Sequence, residues 1–153
     1  MRLKAFLNPD FVVRHLHAQD VEGIVRELAE QAEAAGVASA DVVGEKLLER
    51  EQAHPTVMGG GLAIPHATVP GLQEPVIGVA TADAPIPFGG PSLDPVNTFF
   101  ILLSPPGHER EHVKLLARIC RLARHEGFMD DLARARDPQE LMHLVEAVDD
   151  QHA

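Results

Sequence analysis

Apolar residues recur at intervals of three and four positions in the first third of the chain, which is the spacing of helices that bury one face. The first such segment follows Asp20, a favourable N-cap, and ends near Gly36. The second follows Ser39 and ends before Pro55, because a residue that precedes proline disfavours the helical region. The apolar positions are Val21, Ile24, Val25, Leu28, Ala29 and Ala32 in the first segment, and Val42, Val43, Leu47 and Leu48 in the second.

The same periodicity predicts three more helices in the C-terminal third. A long helix ends at Gly127, and a short helix spans about 129–135. The last helix begins at Asp137, where Asp-Pro-Gln-Glu forms a capping box with proline at the first helical position. The core-facing stripes comprise His112, Leu115, Leu116, Ile119, Leu122 and Ala123 in the long helix, and Leu141, Leu144, Val145 and Val148 in the last one.

Three segments have the composition of β-strands. Residues 11–17 carry β-branched residues, and 76–81 form a short run of the same kind. Residues 96–103 are almost continuously apolar, which is typical of a central strand buried on both sides. Between the last two, prolines and glycines in 85–91 predict a loop or short hairpin. Strands mixed with helices along the whole chain indicate an α/β fold with helices on both faces of a sheet.

Length and composition limit the classes of function that are possible. At 153 residues the chain is expected to form a single domain, residues 1–153. The formal net charge of −10 argues against nucleic acid or an anionic membrane as the main partner. Cys120 is the one cysteine, so no intrachain disulfide exists and a reducing cytoplasm fits. No apolar run approaches membrane-spanning length, and the N-terminal run is too short for a signal-peptide core.

The segment 56–67 is the most informative part of the sequence. Gly59, Gly60 and Gly61 permit backbone conformations and close approaches that a side chain would block. A short apolar run follows and ends at Pro65, which has no backbone N–H and stops ordinary sheet pairing. We therefore expect His66 to lie where a buried element reaches the surface. A histidine in that position can transfer a proton, bind a metal or act as a nucleophile.

Several kinds of site are poorly supported. Nine histidines suggest a metal site, but no HExxH motif or cysteine pair exists, and His108 with His112 supplies only two ligands. Scattered structural histidines explain the excess better, and no metal is expected. The triple glycine lacks the Gly-Lys-Ser/Thr of a phosphate-binding loop, the GxGxxG pattern is absent there, and no GxSxG motif marks a nucleophilic serine.

A functional role for His66 and His112 is better supported when the two residues are considered together. Each has an ordinary structural explanation, His66 as an inert histidine at a strand end and His112 as a satisfied core histidine. His112 also lies near a helix N-terminus, where free N–H groups and the helix dipole favour an anion. If the sheet brings the two histidines together, a phosphoryl group on one ring could be bound by the other. Arg50, near the end of the second helix, could supply a forked cation.

Three short motifs and one threonine resemble enzyme IIA of the fructose–mannitol class, which includes the stand-alone nitrogen-type enzyme IIA. These domains are phosphocarriers of the bacterial phosphoenolpyruvate-dependent phosphotransferase system. The resemblance extends from about residue 21 to 148. The residues that carry it are Leu48-Glu49-Arg50-Glu51, Thr56, Gly59-x-Gly61-x-Ala63-Ile64-Pro65-His66 and His112-Val-Lys-Leu-Leu-Ala117.

The resemblance implies a central mixed β-sheet with helices on both faces. It implies that His66 accepts a phosphoryl group from an HPr-like phosphocarrier and passes it to an enzyme IIB, or that its phosphorylation state regulates targets. His112 would then stabilise the phosphohistidine, Arg50 would be its cationic neighbour, and Thr56 a hydrogen-bonding neighbour. No metal, nucleotide or other cofactor is needed for such a carrier. The alternatives are a regulatory binding module of the same fold that is not phosphorylated, and a small metalloprotein.

Overall fold

The computed structural model describes residues 2–152. After a short 3₁₀ turn at Leu3–Ala5, the elements follow each other along the chain without long gaps. The strands are β1 (Leu7–Leu16), β2 (Val57–Gly59), β3 (Leu62–Ala63), β4 (His66–Thr68), β5 (Val76–Ile86) and β6 (Val96–Ser104). The helices are α1 (Val21–Ala34), α2 (Ala40–Ala53), α3 (Glu109–Ala123), α4 (Phe128–Arg134) and α5 (Pro138–Gln151).

The strands form one mixed sheet in the order β1-β5-β6-β3-β2, and the short strand β4 also pairs with β6. Strand β1 runs parallel to β5, β5 runs antiparallel to β6, and both β3 and β4 run parallel to β6. Strand β6 therefore lies at the centre of the sheet and contacts three other strands. The predicted central strand and the mixed sheet are both confirmed.

Two apolar cores fill the spaces on either side of the sheet. One core joins α1 and α2 to residues such as Phe99 and Ile101 of β6. The other joins α3, α4 and α5 to the alternate residues of β6, Phe100 and Leu102. Because successive side chains of a strand point to opposite faces, a strand buried on both faces must be apolar at nearly every position. The expected α/β architecture, with helices on both faces, is confirmed.

The predicted capping residues begin their helices as expected. The Asp20 carboxylate accepts a hydrogen bond from the Gly23 N–H at 2.7 Å, and the Ser39 hydroxyl accepts one from the Val42 N–H at 3.3 Å. Asp137 accepts from the N–H of the third helical residue of α5 at 2.8 Å, with proline in the first turn. Each side chain satisfies a backbone donor that has no partner inside its helix, which explains why the helices begin at these residues.

Two strands are longer than predicted. Strand β1 begins at Leu7 rather than near residue 11, and Pro9 is tolerated because β1 is an edge strand with a register shift between Leu7 and Val12. Strand β5 continues through Pro85 to Ile86, where a loop was expected. Its regular pairing with β6 is interrupted beyond residue 81 and resumes at residue 86, so the proline falls in the irregular stretch.

The ends of the long C-terminal helix also differ slightly from the prediction. Helix α3 ends at Ala123, and Gly127 precedes α4 as its N-terminal flanking residue with φ +81°. Glycine adopts this left-handed conformation without steric cost. Gly127 therefore lies four residues beyond the end of α3, where it separates α3 from α4. The short helix predicted at about 129–135 is confirmed at 128–134.

The buried carboxylate of Asp149 connects the two ends of the described chain and also forms an ion pair with Arg118. Asp149 of α5 is fully buried, and its carboxylate accepts hydrogen bonds from the backbone N–H groups of Leu3 at 3.1 Å and Lys4 at 3.0 Å. The Arg118 guanidinium of α3 lies 2.7 Å from the same carboxylate. Burial raises the pKa of Asp149, but the Lys4, Arg118 and Leu3 hydrogen bonds and the Arg118 charge together hold that pKa below its ordinary value.

The described helices are all too short or too polar to cross a lipid bilayer.

Candidate active site

The glycine-rich segment forms a tight turn that leads into the sheet. Gly59, Gly60 and Gly61 all have positive φ angles, between +64° and +88°, at the turn that joins β2 to β3. The carbonyl of Gly61 then accepts hydrogen bonds from the N–H groups of Asn97 and Thr98, both at 3.0 Å. The expectation that these glycines adopt conformations that a side chain would block is confirmed, since all three are left-handed. The turn fixes the following residues against β6.

His66 occupies the first position of β4, beside the carboxyl end of β6. It pairs in register with Leu102, whose N–H donates to the Pro65 carbonyl at 3.0 Å. Ile64 and Pro65 are buried, whereas the imidazole is partly exposed. His66 therefore lies where a buried segment reaches the surface, as the sequence predicted.

One ring nitrogen of His66 is held by the backbone. Nδ1 lies 2.7 Å from the carbonyl oxygen of Ile64. A carbonyl oxygen only accepts hydrogen bonds, so Nδ1 carries the proton and donates it. In the neutral ring the other nitrogen, Nε2, then carries the free lone pair. The backbone thus selects which nitrogen of His66 can act as a nucleophile.

A chain of hydrogen bonds extends from Ile64 to a buried carboxylate. The Ile64 N–H donates to the Thr56 carbonyl at 3.0 Å, and the Thr56 hydroxyl donates to Glu51 at 2.7 Å. The Thr56 N–H donates to the other oxygen of the same carboxylate. Burial raises the pKa of Glu51, against the Thr56 hydrogen bonds and the Arg50 charge, which lower it. Glu51 therefore anchors the backbone that positions the His66 ring.

Thr56 does not reach the site directly. It is 5 % exposed and its hydroxyl is engaged by Glu51, so it is not among the residues that line the cleft around His66. The family resemblance implied that Thr56 would be a hydrogen-bonding neighbour of His66. The structure instead places it two hydrogen bonds away, through the backbone of Ile64.

His112 lies beside His66, although 46 residues separate them in the sequence. It belongs to the first turns of α3, and its ring centroid is 5.2 Å from that of His66, with the rings inclined at 59°. Its Nδ1 lies 2.7 Å from the hydroxyl of Ser104, the last residue of β6. The convergence that sequence spacing alone could not establish is therefore present in the fold.

Arg50 approaches the two histidines from the opposite helical layer. It lies in the last turn of α2, and its guanidinium donates to the carbonyl of His54 at 2.7 Å, the residue that ends the helix. A cleft of about 500 Å³ contains the three side chains. The residues that line this cleft are Lys46, Glu49, Arg50, Ala53, His66, Ala67, Thr68 and His112.

The surroundings of both histidines favour the neutral form of the ring. Burial lowers the pKa of His66, the Ile64 carbonyl raises it, and the Arg50 charge lowers it again, with a net fall below the ordinary value. Burial likewise lowers the pKa of His112, as do the charges of His66 and Arg50, while Glu109 acts in the opposite direction. A neutral imidazole is the form that has a lone pair for nucleophilic attack.

The direction of these shifts predicts the pH dependence of the site. Because the pKa of His66 lies below the ordinary 6.5, its neutral form should persist to more acidic pH than that of a free histidine. We expect an NMR titration of the His66 ring to have its midpoint below 6.5, and the Arg50→Gln variant to move that midpoint upward. A wild-type midpoint above 6.5 would contradict the prediction.

The sequence offered His108 and His112 as possible metal ligands. In residues 2–152, no group of three or more His, Cys, Asp or Glu side chains is arranged to hold a metal ion. His108 precedes α3, and its Nδ1 lies 3.0 Å from the carboxylate of Glu111.

Two residues of this region were not identified as site residues in advance. Ser104 directly follows the predicted apolar strand 96–103, and Glu51 is the last residue of the Leu48-Glu49-Arg50-Glu51 motif. The available signal for Ser104 was a polar residue at the end of a buried strand, eight positions before His112. For Glu51 it was a carboxylate on the buried side of α2, where an unpaired charge would be costly.

Known proteins resemble this chain over nearly its whole length. The model of the family "Phosphoenolpyruvate-dependent sugar phosphotransferase system, EIIA 2" matches residues 5–148. A nitrogen regulatory protein of Bradyrhizobium diazoefficiens is 34 % identical over 146 residues, which cover 95 % of each chain. The resemblance found in the motifs is confirmed by both matches.

Two solved structures share the fold at lower sequence identity. The nitrogen regulatory protein IIA-Ntr from Neisseria meningitidis has a TM-score of 0.83 and 23 % identity, and the match covers 94 % of this chain and 98 % of that one. Enzyme IIAMTL from Escherichia coli, in complex with phosphorylated enzyme IIBMTL, has a TM-score of 0.75 and 18 % identity, with 90 % and 95 % of the chains covered. With the sequence matches, these likenesses lead to one conclusion: the chain belongs to the EIIA 2 family of the phosphoenolpyruvate-dependent sugar phosphotransferase system.

Proposed function

We propose that the protein is a phosphohistidine carrier in which Nε2 of His66 holds the phosphoryl group. One observation carries this proposal: Nδ1 of His66 is hydrogen-bonded to the Ile64 carbonyl, which leaves Nε2 as the free nitrogen. His66 lines a cleft together with Arg50 and His112. The donor is an HPr-like phosphocarrier. The acceptor is an enzyme IIB, or the phosphorylation state of His66 is read by regulatory protein targets.

The transfer is a single substitution at phosphorus. The Nε2 lone pair of neutral His66 forms the new N–P bond while the N–P bond of the donor's phosphohistidine breaks, and the electron pair of that bond returns to the donor's imidazole. The proton on Nδ1 of His66 stays on that nitrogen during the attack and remains hydrogen-bonded to the Ile64 carbonyl. Arg50 and His112 are available to stabilise the charge on the three phosphoryl oxygens. The step needs no metal or cofactor.

Arg50 is expected to contribute through both its charge and its forked geometry. The Arg50→Gln variant should slow phosphorylation of His66 roughly a hundredfold, which is the scale for removal of one fixed donor from a developing anion. Arg50→Lys should recover part of the rate, since lysine keeps the charge and loses the fork. To measure the rate, the protein is mixed with a phosphorylated HPr-like donor and the reaction is quenched at successive times. The fraction of phosphorylated protein at each time is read from intact-protein mass spectra.

The Arg134→Gln variant is the matched control for charge. Arg134 lies on α4 and is 72 % exposed, and within residues 2–152 its one ion pair is with the exposed Asp131. Arg134→Gln makes the same change in net charge at a residue that does not line the cleft. Equal slowing in the Arg50 and Arg134 variants would mean that overall charge, rather than the cleft, governs the rate.

The test of the proposed function is reconstitution of the transfer. The protein is incubated with phosphoenolpyruvate, enzyme I and an HPr-like carrier from the same organism, and its intact mass is measured. A gain of one acid-labile phosphoryl group supports the proposal. No gain, with both upstream proteins shown to be active, refutes it.

A regulatory binding module of the same fold is the second candidate, because a relative at 34 % identity is a nitrogen regulatory protein. In this case binding of the targets would not require phosphorylation. A His66→Ala protein that still binds and controls its targets would favour this function. Loss of control in the same variant would favour a phosphorylation-dependent role.

A further inference from the structure

Ser104 places a hydroxyl group directly behind the second histidine of the cleft. The residue is 2 % exposed, and its Oγ lies 2.7 Å from Nδ1 of His112. Its backbone is fixed, because its carbonyl accepts a hydrogen bond from the Val69 N–H at 2.8 Å and it pairs in register with Thr68. The hydroxyl is therefore held in place by the sheet, and the imidazole lies against it.

The direction of this hydrogen bond follows from burial. In the described part of the chain, His112 Nδ1 is the one hydrogen-bonding partner of the Ser104 hydroxyl. If Nδ1 were the donor, the hydroxyl proton would be buried without an acceptor, and an unsatisfied buried donor is costly. If the hydroxyl donates, its proton is satisfied and only lone pairs are unused. The hydroxyl is therefore the donor, and the proton of neutral His112 lies on Nε2.

We propose that Ser104 is a positioning residue that holds His112 in the Nε2–H form, so that this ring donates a hydrogen bond to the phosphoryl group on His66. The inference rests on the proposed function. It gives the two neighbouring histidines opposite tautomers. His66 has its proton on Nδ1 and its lone pair on Nε2, because it faces a carbonyl, whereas His112 has the reverse, because it faces a hydroxyl.

The charged groups around His112 make this tautomer matter. His66 of β4 and Arg50 of α2 both oppose a positive charge on the ring, and Glu109 of α3 favours one. With the ring neutral, only one nitrogen can donate. If that nitrogen were Nδ1, His112 would present a lone pair to the phosphoryl oxygens and repel them. Ser104 therefore decides whether a neutral His112 helps or hinders the transfer.

The first test measures the tautomer without any phosphotransfer. Long-range ¹H–¹⁵N NMR spectra of the unphosphorylated protein, taken where the histidines are neutral, distinguish Nε2–H from Nδ1–H in each ring. We expect Nε2–H for His112 and Nδ1–H for His66. Nδ1–H in His112 would overturn the proposal, whatever the outcome of the reconstitution with phosphoenolpyruvate.

The second test measures the rate of His66 phosphorylation in variants. Ser104→Ala should slow it about tenfold, the scale of one lost hydrogen bond, and Ser104→Thr, which retains a hydroxyl, should restore most of the rate. In a His112→Ala background, Ser104→Ala should have no further effect, because the hydroxyl acts through that ring. An additional tenfold loss in that background would overturn the proposal, since it would indicate a general structural role. Thermal unfolding of each variant confirms that the fold is retained.

Discussion

Substitution of His66 by alanine is expected to abolish phosphorylation entirely. The variant removes Nε2, the nitrogen left free by the hydrogen bond between Nδ1 and the Ile64 carbonyl. His112 is not expected to take over, because it presents an N–H rather than a lone pair to the cleft in the tautomer inferred above. Intact mass after incubation with phosphoenolpyruvate, enzyme I and an HPr-like carrier measures the result, and the variant should show no phosphoryl gain.

The matched variant is His112→Ala, which removes the neighbouring ring and keeps the acceptor. It should be phosphorylated to completion, but roughly a hundredfold more slowly, as expected for loss of one donor to the developing charge. The two variants can be compared directly, because both rings are partly exposed and their centroids lie 5.2 Å apart. Abolished labelling in His112→Ala together with normal labelling in His66→Ala would show that the assigned roles are wrong.

Disruption of the Arg118–Asp149 pair is expected to be the most destabilising charge change. Arg118→Ala leaves a fully buried carboxylate without its cation, and such a loss costs about 3–5 kcal/mol of unfolding free energy. The Arg134–Asp131 pair is the control, since its side chains are 72 % and 51 % exposed. Arg134→Ala should change stability by less than about 1 kcal/mol. Urea denaturation of both variants gives the comparison, and equal losses would contradict the prediction.

The pH dependence of this stability has a definite sign. The pKa of Asp149 is lower in the folded protein than its ordinary 3.8, so the folded state favours the ionised carboxylate. The stabilisation is complete above the pKa of the unfolded chain and is lost as the pH falls through the folded value. Asp149→Asn should therefore lose stability at neutral pH and show a smaller further loss on acidification than the wild type.

Much of the fold could be predicted from interactions between residues close together in the sequence. Asp20, Ser39 and Asp137 begin the helices predicted for them because capping depends on a few neighbouring residues. The central strand was recognisable because burial on both faces requires an unbroken apolar run. The extension of β5 through Pro85 was not, since a proline in a strand is tolerated only where pairing is irregular, and that depends on the partner strand.

The candidate site was only partly predictable for the same physical reason. Motifs indicated His66, His112 and Arg50, but their convergence depends on the parallel pairing of β4 with β6, which joins residues 36 positions apart. The expectation for Thr56 missed its burial against Glu51. The role of Ser104 was not predictable, because it depends on a 2.7 Å contact with His112, which lies beyond the following loop in the first turns of α3. Such contacts are properties of the tertiary structure rather than of any short segment.

The division of the site among layers has a consequence for its robustness. The sheet supplies His66, the helical layer on one face supplies Arg50 through α2, and the layer on the other face supplies His112 through α3. A substitution in either core that lets one layer slide relative to the sheet would misalign a donor with the phosphoryl group, although it lies far from the cleft. The phosphotransfer rate should therefore report on the alignment of all three layers, and it should fall in core variants before the protein unfolds.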